Sequence, residues 1–199
     1  MLKRSFLQPF ALPFAVLAAF AGVVSLAGCK STQLAPLQVS LPTSAAPTQP
    51  PQPARLVVVD QRPQHHALRL HYNKKPAQFA TLEQPVTTLI RQQLAPYFEH
   101  QAEHSLLLQL TVDQGLCVAE QSFSKHSMNC TFVFDVAARL PSGAWAKTYT
   151  AKRSREGQFS LKTEYAQTDI AFVLNNALHE FINDPTFQAW LAQHTQDKP

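Results

Sequence analysis

Histidine, carboxylate and cysteine side chains are the groups in this sequence whose chemistry could define a function. The eight histidines first suggest a metal site, and His100 with His104, beside Glu99 and Glu103, has the spacing that places ligands on one face of a helix. Pro96 lies just before this segment and disfavours a continuous helix through it. We therefore expect solvated histidines there, and we predict neither a metal nor another cofactor.

Motifs of enzyme nucleophiles and phosphate sites are missing from the sequence. It contains no Gly-x-Ser-x-Gly, no glycine-rich phosphate loop and no His-Glu-x-x-His. Asp60, Asp135 and Glu156 could supply a carboxylate pair, but nothing in the sequence places two of them together. The expectation is a protein without catalytic activity and without catalytic residues.

Cys29 has the most definite predicted chemistry. It follows Leu26-Ala27-Gly28 at the end of an apolar run with a basic start, and this arrangement resembles the lipobox of bacterial lipoproteins. In such proteins the cysteine thiol is lipidated, carrying a diacylglycerol group with acyl chains such as palmitate, and the chain is cut just before the cysteine. Pro9 and Pro13 leave an unbroken run shorter than the roughly 20 residues of a membrane span. Residues 1–28 are therefore predicted to be a cleaved signal peptide.

Residues 29–54 are predicted to be the lipidated N-terminus and a proline-rich tether. This segment has six prolines and no charged residue except Lys30, so it should be extended and semi-rigid. Such a tether could hold a domain up to about 70 Å from the anchor. The alternation from Leu37 to Leu41 could instead pair as an edge strand.

Residues 55–199 are predicted to form one α+β domain. Apolar patterns predict strands at 55–60, 67–72, 105–115, 130–140 and 145–153, and helices at about 82–95 and 163–182. Thr81 with Gln84 suggests a capping box for the first helix, and Asp184 with Pro185 suggests the start of a short C-terminal helix. The expected architecture is a two-layer sandwich, in which an antiparallel sheet of about four to five strands carries the helices on one face.

Cys117 and Cys130 are predicted to form a disulfide, because an exported protein meets oxidising conditions. The two residues flank the connection between consecutive strands, and closing a loop of this length contributes roughly 3 kcal/mol in the chain-entropy model. Alignment of the apolar faces puts Cys117 on the wrong face unless a one-residue bulge occurs near Gly115. The alternative is two unpaired thiols, and without a Cys-x-x-Cys spacing a redox role is not expected.

A basic band is predicted at the last long strand and the loop that follows it: Lys147, Lys152, Arg153, Arg155 and Lys162. Such a band would attract the anionic groups of a glycan or a lipid, with Lys147, Tyr149 and Arg153 as contacts. The alternative is a solvated strand edge, where basic side chains discourage pairing with another sheet.

Several segments, taken in order along the chain, resemble the YajG family of bacterial lipoproteins. Besides the lipobox at Cys29, they are Val59-Asp60-Gln61-Arg62, the helix from Leu89-Ile90 to Tyr97, Lys147-Thr148-Tyr149-Thr150-Ala151, Glu156-Gly157-Gln158-Phe159 and Asn175-Asn176-Ala177-Leu178. Members of that family lack an established biochemical activity, so the resemblance supplies no catalytic residues. It implies a lipid anchor and, because Lys30 rather than an aspartate follows the cysteine, sorting to the periplasmic face of the outer membrane. Cys117, Cys130 and the proline-rich lead depart from the family pattern.

These features predict a lipid-anchored envelope protein that acts through binding rather than catalysis. Its expected partners are the membrane, through the anchor, and an envelope protein, glycan or lipid. Without Lys3 and Arg4 of the signal peptide, 15 basic residues face 13 acidic ones, and export excludes a nucleic-acid partner. The alternative function is a binding module for an anionic glycan or lipid at residues 147–162.

Overall fold

The computed structural model describes residues 33–42, 52–100 and 106–195, with the backbone alone at residues 52, 99, 100 and 195. The predicted signal peptide, Cys29 and residues 30–32 and 43–51 of the predicted tether lie outside the described residues.

Seven strands and three helices are formed by the described residues. The strands are β1 (Gln52–Asp60), β2 (His66–Tyr72), β3 (Gln78–Thr81), β4 (Phe98–His100), β5 (Leu107–Gln121), β6 (Lys125–Leu140) and β7 (Gly143–Gln158). The helices are α1 (Val86–Leu94), α2 (Thr163–Ile182) and α3 (Pro185–Thr195). The predicted α+β class is confirmed.

The sheet is mixed, whereas the sequence analysis predicted an antiparallel one. β5, β6 and β7 form the expected antiparallel meander. On its other edge β5 pairs in parallel with two strands in line, with β1 along its first half and β2 along its second. β3 is antiparallel to β2, and β4 is parallel to β1. β5 can take two partners on one edge because it is 15 residues long.

The helices cover one face of the sheet, as predicted. Every second residue of β6 from Met128 to Ala138 is buried on this face. α2 packs across β6 and β7, and α1 packs against β1. The predicted apolar stripe of α2 is buried, including Val173, Leu174 and Phe181. Since burial of each large apolar side chain contributes roughly 1.5–3 kcal/mol, this layer contributes much of the stability.

Helix starts follow the predicted signals in one case and not in another. Asp184 precedes α3 and Pro185 is its first residue, as predicted. The capping box predicted for α1 is wrong, because Thr81 ends β3, where it pairs with His66, and α1 has no side-chain cap. Within the part of the chain that the structure describes, no helix has the length and apolar character needed to cross a membrane.

Residues 33–42 of the predicted tether pack on the domain. The Leu34 N–H donates to the Phe79 carbonyl and the Leu37 N–H to the Thr81 carbonyl, both at 2.8 Å. Leu37 is 1% exposed and Val39 is 9% exposed. The alternation from Leu37 to Leu41 thus corresponds to burial beyond the end of β3, where Val39 and Leu41 lie near Leu89 of α1, and this part of the chain is not a free spacer.

Candidate functional site

The predicted basic band does not form one surface. Lys147, Arg153 and Arg155 lie on the helix-covered side of β7, where each is ion-paired. Lys152 alternates with them and is exposed on the opposite face, and Lys162 immediately precedes α2. The sequence analysis missed this division, because it did not consider Asp169 and Asp184 as the acidic partners of these residues.

Asp184 connects Lys147 and Tyr149 to the start of α3. Its Oδ2 accepts hydrogen bonds from Lys147 Nζ and the Tyr149 hydroxyl, each at 2.7 Å. Its Oδ1 accepts hydrogen bonds from the N–H and the hydroxyl of Thr186, both at 2.7 Å. Asp184 thus caps the start of α3, as predicted. This buried carboxylate therefore fastens α3 to β7.

The ionisation of Asp184 and Tyr149 follows from these contacts. Burial acts to raise the pKa of Asp184, but the hydrogen bonds from Lys147, Tyr149 and Thr186 outweigh burial and hold that pKa below its ordinary value. Burial and the neighbouring Asp184 carboxylate raise the pKa of Tyr149. The phenol therefore stays protonated and donates to a charged carboxylate.

Asp169 makes the corresponding connection for α2. Arg155 donates to both of its oxygens at 2.7 Å, and Arg153 Nε lies 2.8 Å from its Oδ1. The hydrogen bond to Asp169 raises the pKa of Arg155, and the carboxylate is 1% exposed. Arg153 also stacks on Phe172, with its guanidinium carbon 4.2 Å from the ring centre.

The three predicted ligand contacts are thus engaged within the protein itself. Tyr149 is 1% exposed, and Lys147 and Arg153 each have a buried carboxylate partner. Their geometry gives them a structural role in holding the helices on the sheet. Their role as contacts for an anionic ligand stays a prediction.

A bulge in β5 determines the position of the two cysteines. The pairing register between β5 and β6 shifts between Val112 and Gln114. Cys117 then stands directly opposite Cys130, and the two form a disulfide with their Cα atoms 3.9 Å apart. The structure thus contains the disulfide and the one-residue bulge that the sequence pattern required.

A cavity of about 260 Å³ lies beside this bulge. Its lining includes His66, Arg69, Phe79 and Asp113. His66 Nδ1 and Arg69 Nε are buried and have no hydrogen-bond partner among the described residues. The Phe79 ring lies 4.7 Å from the His66 ring, measured between centroids. Arg69 also lines the cavity, and its guanidinium has only donors, which suit an oxygen of an anionic group.

Arg62, at the end of the Val59–Arg62 motif, forms one wall of this cavity. It donates to both oxygens of Asp60, at 2.8 and 2.7 Å, and to the Gly115 carbonyl at 3.0 Å. Burial acts to raise the pKa of Asp60, but hydrogen bonding to Arg62 and its charge outweigh burial and lower that pKa. A Cβ at Gly115 would lie 3.1 Å from Phe132 and 3.2 Å from Arg62 Nη1, so this close approach favours glycine.

The bulge also creates a carboxylate pair that sequence reasoning missed. Burial raises the pKa of Asp113, and the charge of Asp135 and a hydrogen bond between the two acids raise it further. The Thr148 hydroxyl donates to Asp135. Both aspartates are exposed to solvent. Asp135 was considered from the sequence, but its neighbour could be found only by locating the bulge.

No cluster of three or more potential metal-binding side chains occurs within residues 33–42, 52–100 and 106–195. Glu103 and His104 of the histidine segment lie outside these ranges, and the side chains of Glu99 and His100 are not described. The expectation of solvated histidines there stays a prediction.

Comparison with known proteins gives a family but no activity. No curated protein matches the chain. A Xanthomonas campestris protein of the DUF330 family has 14% identity and a TM-score of 0.46, over 81% of this chain and 99% of that one. An uncharacterized protein has 10% identity and a TM-score of 0.35, over 73% and 99% of the two chains. A neuraminyllactose-binding hemagglutinin homolog from Helicobacter pylori has 11% identity and a TM-score of 0.30, over 72% and 88%.

The TM-scores of those three structures are all below 0.5. A family model described as an uncharacterized lipoprotein matches residues 39–192, which is most of the chain. The chain therefore belongs to this family of uncharacterized lipoproteins.

Proposed function

We propose that the protein is a lipid-anchored envelope lipoprotein of the YajG type, attached through Cys29 to the periplasmic face of the outer membrane. Its domain acts there as a non-catalytic interaction or accessory component. The observation that carries this proposal is the lipobox cysteine directly before a domain that belongs to a lipoprotein family. Lys30 after the cysteine supports the outer membrane as its destination.

Replacing the cysteine tests the anchor. Cells expressing the full chain are fed an alkyne-tagged fatty acid and then separated into soluble, inner-membrane and outer-membrane fractions. The natural protein should carry the label and fractionate with the outer membrane, whereas Cys29→Ser should lose both properties. The double variant Cys117→Ser/Cys130→Ser is the matched control and should keep the label. A labelled Cys29→Ser protein would contradict the proposal.

The sorting step has its own test. Lys30→Asp should move the labelled protein to the inner-membrane fraction, and Lys30→Arg should leave it in the outer-membrane fraction. If both variants fractionate alike, the residue after the cysteine does not direct sorting and the assignment to the outer membrane loses its support.

Binding rather than catalysis is supported by how the charged groups are used. Asp169 and Asp184 are occupied in fastening helices to the sheet. The Asp113–Asp135 pair is the strongest candidate for acid–base chemistry, but both carboxylates are exposed, and catalytic carboxylates usually have their pKa adjusted by burial. Hydrolysis of peptidoglycan fragments, esters or peptides by the natural protein that is lost in Asp135→Asn would overturn this part.

A second function is favoured by the arginine that lines the cavity beside the β5 bulge. The Arg69 guanidinium there suits one small anionic group, such as a carboxylate or a phosphate of a glycan or lipid. Ligand pockets commonly measure about 300–1,000 Å³, so the cavity of about 260 Å³ suits such a group rather than a whole glycan. The anionic partner expected for residues 147–162 thus has a second possible position in the fold.

Titration calorimetry with inorganic phosphate and with acetate tests this second function. Arg69→Gln should abolish the heat of binding. Lys152→Gln is the control, because it removes an exposed charge from the face of the sheet opposite the helices, and it should leave the heat of binding unchanged. If Lys147→Gln or Arg153→Gln loses binding and Arg69→Gln does not, the anion binds at the predicted basic band and not in the cavity.

A further inference from the structure

Two phenylalanines are exposed together at one end of the sheet. Phe123, in the turn between β5 and β6, is 88% exposed, and Phe159, directly after β7, is 69% exposed. Their segments adjoin, because the Phe159 N–H donates to the carbonyl of Ser124, the residue after Phe123, at 2.8 Å. Single exposed apolar residues need no explanation, but two exposed phenylalanines in adjoining segments form an apolar patch.

Phe159 is held in its exposed position by specific contacts. Its φ of 62° lies in the left-handed region, which is uncommon for an aromatic residue. The His126 ring donates from Nδ1 to the Phe159 carbonyl at 3.0 Å and is itself buried. A Cβ at Gly157 would lie 2.5 Å from this ring, so the ring fits because residue 157 is glycine. The Glu156–Phe159 motif therefore presents Phe159 to solvent.

Lysines accompany the two rings. The pairs Tyr72–Gln121, Gln121–His126 and Lys125–Gln158 place the connections 73–77, 122–124 and 159–162 at the same end of the sheet. These connections contain Lys74, Lys75 and Lys162, all exposed, and their sequences contain no aspartate or glutamate. Apolar rings beside ammonium groups match the membrane interface, where rings enter the acyl boundary and cations lie among phosphates.

The predicted anchor joins the domain near this same end. Gln33 is bridged to Phe79, which pairs with Arg69, and Arg69 pairs with Val118 near the end of β5. Because the chain runs parallel to β3 from Gln33 onward, it runs away from the phenylalanine end. The four-residue step from Cys29 to Gln33 spans at most about 14 Å. A lipid on Cys29 would thus keep this end of the domain close to the bilayer.

We propose that the end of the sheet carrying Phe123 and Phe159 rests on the membrane that holds the lipid anchor. The two rings lie in the interfacial layer and the three lysines contact anionic headgroups. This inference rests on the proposed lipidation of Cys29. It gives the domain a fixed orientation, in which the turn between β6 and β7, at Pro141 and Ser142, points away from the bilayer. The 16 residues of β6 place that turn about 50 Å from the bilayer.

Fluorescence depth measurements on the lipidated full protein test this orientation. The protein is placed in vesicles of phosphatidylethanolamine and phosphatidylglycerol, and a tryptophan probe is introduced by Phe123→Trp, by Phe159→Trp or by Ser142→Trp. The Ser142 variant is the matched control, since it has the same probe at the opposite end. The signal of Trp145 and Trp190 is subtracted by using the parent protein.

The probes at 123 and 159 should shift to shorter emission wavelength and be quenched by nitroxide-labelled lipids, whereas the probe at 142 should be quenched only by aqueous acrylamide. Acrylamide quenching at all three positions, with no effect of the lipid nitroxides, would overturn the proposal. Protection from both quenchers would also overturn it, since that pattern indicates a protein contact. Failure of the anchor is distinguishable, because a protein without lipid would not float with the vesicles.

Discussion

Asp184→Asn is the most informative single change to the domain, because this carboxylate joins a helix cap to two donors on the sheet. Asparagine keeps the oxygen that caps α3, but it places an amide where Lys147 and Tyr149 now donate. The Tyr149 hydroxyl can turn to accept from that amide, whereas the Lys147 ammonium cannot. The Lys147 side chain is 44% exposed and can return to water. Since a hydrogen bond to a charged group contributes roughly 1.5–3 kcal/mol, we expect the free energy of unfolding to fall by about 2 kcal/mol at pH 7.

Asp184→Ala should cost more than Asp184→Asn. Alanine also removes the cap, which contributes roughly 1 kcal/mol, and leaves the buried Tyr149 hydroxyl without its acceptor, at a cost of roughly 1–3 kcal/mol. We expect a total loss of about 4 kcal/mol. Lys147→Met should cost at least as much as Asp184→Asn, because it leaves the buried Asp184 carboxylate without its cation. In Lys147→Met/Asp184→Asn the combined loss should be smaller than the sum of the two single losses, because the two residues share one interaction.

The pH dependence identifies the ionised form of Asp184 as the stabilising one. Its pKa in the folded protein lies below the ordinary value of 3.8, so its contribution is present above that pH and is lost as the pH falls through the folded pKa. The stability difference between the natural protein and Asp184→Asn should therefore be constant from pH 7 to about pH 5 and should shrink below about pH 4.

Urea unfolding followed by circular dichroism, on oxidised protein between pH 3 and pH 7, provides the measurement. A stability difference between the natural protein and Asp184→Asn below about 0.5 kcal/mol at pH 7 is no larger than that of an ordinary surface substitution. Such a result would refute the stabilising role assigned to the hydrogen bonds of Asp184. A difference that does not change between pH 7 and pH 3 would refute the role of the charge.

Three further predictions concern the disulfide, the carboxylate pair and the packed N-terminal segment. Cys117→Ala/Cys130→Ala should lower the free energy of unfolding by about 2–4 kcal/mol, and a reducing agent should lower that of the natural protein but not that of the variant. Asp113→Asn should raise the unfolding free energy at pH 7 by roughly 0.5 kcal/mol, because it removes repulsion from Asp135. Because the pKa of Asp113 is raised in the folded protein, protonation of Asp113 stabilises the natural protein as the pH falls through that pKa. The stability advantage of Asp113→Asn should therefore vanish in urea titrations below about pH 4. Leu37→Ala should cost about 2–5 kcal/mol and expose residues 33–42 to limited proteolysis, whereas a free tether would show neither effect.

Much of the meander and of α2 could be predicted, because their residues alternate or recur with a clear period. The cysteine spacing even required the bulge that the structure contains. β3 and β4 were missed because strands of four and three residues carry too little pattern. The parallel pairing of β1 and β2 with β5 was missed because a short apolar run indicates burial but not strand direction.

The site residues were harder to interpret because charge in a sequence does not show its partner. Lys147 and Arg153 were interpreted as solvated or ligand-binding, whereas each has a buried aspartate partner from α2 or the residue before α3. One signal was available, since Asp169 lies on the buried stripe of α2, four residues before Val173. A carboxylate among apolar positions needs a cation from the facing sheet. The Asp113 neighbour of Asp135 depends on the bulge and had no comparable signal.

The sharing of β5 by two parallel strands affects how an exported chain acquires its fold. A chain that emerges N-terminus first presents β1 before its partner, because Arg55 pairs with Leu107 and every residue between them must follow. β2 also waits for the second half of β5. During translocation the backbone N–H and C=O groups of both strands are therefore unpaired, and unpaired strands can pair with other chains and aggregate. The meander of β5 to β7 is local and forms as soon as its residues have crossed, so the last half of the chain becomes the template on which the first half is assembled.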